Sequence, residues 1–218
     1  LTGTPQYVLW LTDVIRPHLG DNVLEIGAGI GNLSARLMSR RFAYCATESD
    51  DVYLHTLENR FLRTPNVSVR RLRVDADDDF RQLPATFDTV LLANVLELTK
   101  DDAALLRRTR AVLQSDGKLV LLLPGIPALF GTLDKTLGHH RRYSVAGLRK
   151  LLDENGFRLE TTHQLNRFGV AGWFLYSRIL RSSRINKIFL KLFDKSVWFV
   201  RLVDRFVPWP GVNLVVRS

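Results

Sequence analysis

Three glycines fall at every second position in "VLEIGAGIG" (23–31), at Gly27, Gly29 and Gly31, behind a short apolar run that carries one acid, Glu25. A glycine turn between a strand and a helix lets the backbone close on a ligand, because no Cβ stands in the way. The dinucleotide spacing is G-x-G-x-x-G; here the third glycine comes one residue early. A carboxylate two residues before the first glycine suits a ligand with positive charge. A second cluster, "GHHRRYS" (138–144), gathers His139, His140, Arg141, Arg142 and Tyr143. Either histidine can serve as a general base near neutral pH. The arginines can pair with a phosphate or carboxylate, and Tyr143 can position an acceptor. The competing reading is a structural loop whose arginines pair with acids. His55 and His163 read as ordinary residues, and no spacing suits a metal site.

Both clusters need elements to hold them. Strand signals fall at 22–27, 42–48, 67–74, 87–94 and 118–124, and helical signals at 32–41, 50–62 and 101–114, the last ending at a turn "SDG" (115–117). Nearly continuous apolar strands alternating with helices imply a parallel sheet covered on both faces. Its ligand crevice lies at the carboxyl ends of the strands. Beyond 124 come a loop-rich stretch, a helix over 144–156 with Ser144 as N-cap and Gly156 as stop, a sixth strand at 157–166 and a last strand at 211–218. The expected fold is a doubly wound, mostly parallel seven-stranded α/β sheet with a helical insertion before the last strand. One domain spans 1–218, with a ligand-binding core at 22–124, an acceptor-side segment at 125–166 and a basic aromatic insertion or lid at 167–210.

The chain has 218 residues, enough for one sizeable core. The net charge of +9 is uneven: residues 1–140 hold 16 Lys/Arg against 17 Asp/Glu, and residues 141–218 hold 15 against 5, or +10. That excess points to an anionic partner, either a phosphate-bearing substrate, a membrane surface or nucleic acid. The lone Cys45 excludes a disulfide within this sequence and fits a cytoplasmic setting. No signal-peptide pattern is present, no apolar run reaches the length of a membrane span, and the first residue is Leu rather than Met.

The turn "VLEIGAGIG" followed by acids at strand ends resembles the first motifs of the class I S-adenosylmethionine-dependent methyltransferases, over at least residues 22–124. The resemblance implies S-adenosyl-L-methionine as cofactor and S-adenosyl-L-homocysteine as product. It assigns the glycine turn and Glu25 to the methionine part and Glu48, at the end of strand two, to the ribose hydroxyls. It assigns Asp75 in "VDADD" (74–78) to the adenine amino group and Asn94 in "FDTVLLANVLEL" (87–98) to the methionine flank. Many members carry His where this chain has Leu98, so that histidine's role does not transfer. Asp77 to Asp79 read as solvated surface. Tyr7, ahead of strand one, is placed by topology where it closes over the cofactor.

The acceptor side is read from 138–210. An Asn94 followed by "VLE" lacks the signature of DNA amino-methyltransferases, and Cys45 inside a strand cannot be a cytosine-C5 nucleophile. In 183–206, Ile185, Ile188, Phe189, Leu192, Phe199, Leu202, Val203 and Phe206 recur at helical spacing, while Lys187, Lys191 and Lys195 step by four. Such a helix closes the core as a lid, lies on an anionic bilayer, or forms a homo-oligomer interface. Trp173, Phe174, Trp198 and Trp209 add aromatics of the interfacial kind. "GHHRRY" with this insertion is also similar to bacterial methyltransferases that accompany glycosyltransferases of polyprenyl-linked sugar pathways. The expected activity is methyl transfer to a small-molecule or lipid-linked acceptor, at oxygen, in the cytoplasm or peripherally on the inner membrane face. His139, His140 and Tyr143 are then the catalytic candidates, and Arg141, Arg142 and Trp173 the acceptor-binding ones. The alternatives are an RNA methyltransferase that uses the basic third and a non-catalytic membrane-associated or partner-binding module of the same fold.

Overall fold

The computed structural model describes residues 3–84, 86–180 and 186–217. Its seven strands are β1 (Asn22–Ile26), β2 (Ala43–Glu48), β3 (Val67–Arg71), β4 (Phe87–Ala93), β5 (Leu113–Pro124), β6 (Thr161–Leu165) and β7 (Asn213–Arg217). They lie in the order β3-β2-β1-β4-β5-β7-β6. β1 to β5 pair in parallel, and β7 runs antiparallel between β5 and β6. The strand order reverses between β1 and β4, which opens a crevice at their carboxyl ends.

Side-chain alternation along the strands divides the core in two. Leu24, Ile26, Val90, Leu92, Leu119 and Leu121 face one side. There they pack under α4 (Asp77–Arg81), α5 (Asp102–Val112) and α7 (Val145–Glu154). Val23, Leu91, Ala93, Val120 and Leu122 face the other. That side is covered by α1 (Pro5–Ile15), α2 (Ser34–Leu37), α3 (Asp51–Phe61) and α9 (Lys187–Asp204). Each such Leu, fully buried, contributes about 2–3 kcal/mol.

Two expected elements differ from the sequence reading. The helix over 32–41 shrinks to α2, and Arg40, at φ 64°, ends the segment. The turn at 115–117 is instead a bulge inside β5, where pairing shifts between Phe87 and Thr89. Between β5 and β6 lie α6 (Thr132–Thr136) and α7; Ser144 caps α7 by accepting the Gly147 amide at 3.1 Å.

The segment between β6 and β7 holds α8 (Gly169–Phe174), a π-helical turn (Leu175–Ile179) and α9. Ile185 lies outside the described residues. Two buried acids fasten α9. Asp194 accepts the amides of Gln6 and Tyr7, at 3.3 and 2.9 Å, where the first turn of α1 has no internal partner. Asp204 accepts the Arg167 amide at 2.6 Å. Among the described residues no helix is long and apolar enough to cross a membrane.

Candidate active site

The crevice above β1 and β4 begins with the glycine turn. Gly27, Gly29 and Gly31 all have left-handed φ, at 74°, 58° and 77°. A Cβ on Gly27 would stand 2.5 Å from Val95 Cγ2, and one on Gly31 2.8 Å from Leu57 and Phe61 atoms. A Cβ on Gly29 would meet nothing within 4 Å, so that glycine borders open space. The turn is fixed to β2: the Ala28 amide donates to the Thr47 carbonyl at 2.8 Å, and the Gly29 amide to Glu48 Oε2 at 2.8 Å. Glu48 Oε1 accepts the Ser49 and Asp50 amides.

Glu25 is buried on the same face and lines a cavity of about 290 Å³ with Gly27, Gly29, Tyr53 and Ala93. Its Oε2 accepts the Ser34 hydroxyl at 2.5 Å and the Tyr44 hydroxyl at 2.8 Å. Burial pushes its carboxyl up, and the two hydroxyls oppose the shift. A cation in the cavity would restore the charged form. Asn94 ends β4 at φ 55°, a sparsely populated conformation for a residue with a side chain. Asp75 is exposed in the turn after β3. The acids beyond it are ion-paired rather than merely solvated: Asp77 with Arg108, Asp78 with Arg81 and Asp79 with Arg73. Tyr7 does not line this cavity. Its ring packs edge-on against Trp10 and Phe193, and its hydroxyl donates to Asn213 Oδ1 at 2.5 Å.

The "GHHRRY" side chains divide between two acids. Arg141 Nη1 and the Tyr143 hydroxyl both reach Asp102 Oδ2, at 2.9 and 3.1 Å. His139 Nδ1 and Arg142 Nε both reach Asp134 Oδ1, at 3.0 and 2.7 Å. Asp134 Oδ2 accepts the Gly131 amide and, at 3.3 Å, Trp173 Nε1. Arg142 lies over the Trp173 ring, 4.5 Å from its centroid. Burial pushes the Asp134 carboxyl up, but His139 and Arg142 outweigh it and hold the group below its ordinary value. His140 is exposed, with its amide bonded to the Glu97 carbonyl. Arg141 and Tyr143 thus spend polar atoms on Asp102, and Arg142 spends Nε on Asp134 and Nη1 on the Gly125 carbonyl.

Residues 24–119 match a family model described as a methyltransferase domain. Residues 24–119 are those of an S-adenosylmethionine-dependent methyltransferase domain. It is 32% identical over 114 residues to the polyketide synthase PksR of Bacillus subtilis, covering 48% of this chain and 4% of that one. The chain thus spans a few per cent of the length of the curated relatives it matches first. Magnesium protoporphyrin IX methyltransferase (ChlM) of Synechocystis, solved with bound SAH, aligns at a TM-score of 0.57 and 20% identity. That alignment covers 75% of this chain and 78% of that one. The YcgJ protein of Bacillus subtilis aligns at 0.64 and 14% identity over 97% and 96%. At these identities the structures speak for the fold alone.

The methyltransferase cleft fits its cofactor. Open space above Gly29 admits a ligand against the backbone, and the buried Glu25 at the wall suits a ligand bearing ammonium and sulfonium charge. The domain also has a second, apolar pocket of about 170 Å³ between α8 and α9, lined by Phe168, Trp173, Tyr176, Phe189 and Phe193. Trp173 connects this pocket to Asp134 and, through it, to His139.

Three acids of the methyltransferase escaped the sequence reading: Asp102, Asp134 and Glu97. Asp102 falls in the helix expected at 101–114 and Asp134 in the loop-rich stretch, and nothing local marks either as a partner of the 138–144 stretch. Glu97 had a signal, an acid inside the apolar run "NVLEL". It is fully buried, and no other described residue hydrogen-bonds its carboxylate. Burial raises its pKa to about 8. Arg142 Nη2 is likewise buried with no hydrogen-bond partner among the described residues.

Proposed function

We propose that the domain methylates a small-molecule or lipid-linked acceptor that has an apolar body, and that the methyl group goes to oxygen. The observation that carries this reading is the apolar α8–α9 pocket, whose Trp173 wall shares Asp134 with His139. The cofactor, when bound, supplies a methyl group on a positively charged sulfur. The chain must then align acceptor and donor and exclude water. Aromatic walls at Phe168, Tyr176, Phe189 and Phe193 hold the apolar body. His139 keeps its proton on Nδ1 and donates it in a hydrogen bond to Asp134, which fixes the tautomer and leaves Nε2 as the base. Nε2 takes the acceptor's hydroxyl proton as that oxygen takes the methyl group. In the cofactor cleft, Glu25 and the glycine turn hold the methionine part, Glu48 the ribose, Asp75 the adenine and Asn94 the flank nearest the acceptor.

The test is transfer of labelled methyl into fractionated bacterial extract, followed by the same assay on variants. Label in the organic-extractable fraction is expected, and label in nuclease-sensitive material would replace this reading with an RNA substrate. His139→Ala should lower turnover roughly 100-fold or more while leaving affinity for S-adenosylhomocysteine unchanged. Full turnover in that variant would remove His139 as the base.

A further inference from the structure

α9 has two apolar faces. The inner one, with Phe193, Val197 and Val200, joins the core shared with α1. At about 100° per residue, Ile188, Leu192, Phe199 and Leu202 fall within about 40° of one line on the opposite side, and Phe206 follows in the turn just past the helix end. All five are exposed, from 50% at Phe199 to 72% at Phe206. A contiguous apolar stripe of this length on a solvated surface marks an interaction site. Lys195 alone interrupts it. Lys187, Lys191 and Arg205 line one flank, with Trp198, exposed at 72%, on the border, while Arg201 turns towards α1 and pairs with Asp13. Phe189 on the other flank meets Tyr176 of the π-helical turn.

The sign of the charge selects the partner. Both acids of α9, Asp194 and Asp204, are buried on the inner side and used on backbone amides. Lys187, Lys191 and Lys195 form no ion pair among the described residues. The outer face therefore presents cations and apolar groups and no acid. A second copy seated on it by a two-fold axis would bring like charges together, because such an interface pairs a surface with itself.

We propose that the outer face of α9 docks on an anionic lipid bilayer, with the helix lying in the interfacial plane. Its 18 residues span about 27 Å along the surface. Trp198 and the apolar stripe enter the headgroup–acyl boundary, while the lysines meet anionic headgroups. The docking stands on this surface alone. It extends the proposed function by setting the mouth of the α8–α9 pocket beside the bilayer, where a lipid-linked acceptor resides.

The test is flotation of the full chain with vesicles of phosphatidylcholine, alone or with about 30% phosphatidylglycerol. Binding to the anionic vesicles should be at least tenfold tighter and should fall in high salt. The double variant Phe199→Glu with Leu202→Glu and, separately, Lys187→Glu with Lys191→Glu should each weaken it at least tenfold. Both should keep the parent's affinity for S-adenosylhomocysteine, which reports an intact fold. Equal binding to both vesicle types, or no change in either variant, overturns the proposal. A dimer in sedimentation that Phe199→Glu with Leu202→Glu dissolves, without vesicle binding by the parent, would make a second copy the occupant instead. Failure of every acceptor in the methyl-transfer assay would leave vesicle binding untouched, so the two readings fail separately.

Discussion

Arg142 and Asp134 are paired through Nε and Oδ1 at 2.7 Å, with neither side chain open to solvent. A buried pair of this kind adds little net stability over an apolar substitute, but removing one partner strands the other charge. Asp134 also holds His139 and Trp173, so the pair ties these two side chains into one unit.

Asp134→Ala should therefore destabilise the fold by roughly 3–5 kcal/mol, and Arg142→Ala by a similar amount. Urea unfolding followed by tryptophan fluorescence measures both. The double variant should cost less than the sum of the two, because each single change already breaks the same pair. Additive costs would show that the pair is not the source.

Glu97 makes stability depend on pH. Burial holds its pKa at about 8 in the folded protein, above the 4.5 of a solvated glutamate. Between those values the folded chain keeps a proton that the unfolded chain releases. Stability from this group is complete below about pH 4.5 and is lost as pH rises through about 8. Glu97→Gln removes the titration and keeps the shape. It should be more stable than the parent at pH 8.5, and the difference should shrink towards pH 5. A difference that does not change with pH would place the Glu97 proton elsewhere.

Asp75 is exposed in the turn after β3, so its replacement should leave the fold intact. Asp75→Ala should weaken S-adenosylmethionine binding at least tenfold, about 1.4 kcal/mol. Isothermal titration with the unlabelled cofactor reads this directly, and unchanged affinity would take Asp75 out of the site. Glu48→Ala should disturb more than affinity, because Glu48 also holds the Gly29, Ser49 and Asp50 amides. Its thermal midpoint should fall as well.

By itself the sequence determined the parallel strands and the glycine turn. The apolar strands, the turn at Gly27, Gly29 and Gly31 and the acids at strand ends are local patterns, set by side-chain period and by φ values that only glycine adopts freely. Those signals survive folding because they act over a few residues. Even there one local pattern was not kept: the helix expected at 32–41 is four residues long, with left-handed Arg40 closing the segment. The 138–144 cluster depended on distant partners. Whether Arg141 and Arg142 faced a ligand or an acid was open in the sequence, and only the packed chain brought Asp102, 39 positions away, to Arg141. Tyr7 shows the same dependence: its amide is held by Asp194, 187 residues along the chain, and so it belongs to the seam between α1 and α9. Periodicity gave α9 its apolar residues but not their sides. Burial against α1 took one stripe inward, and the geometry of a helix left the other facing out.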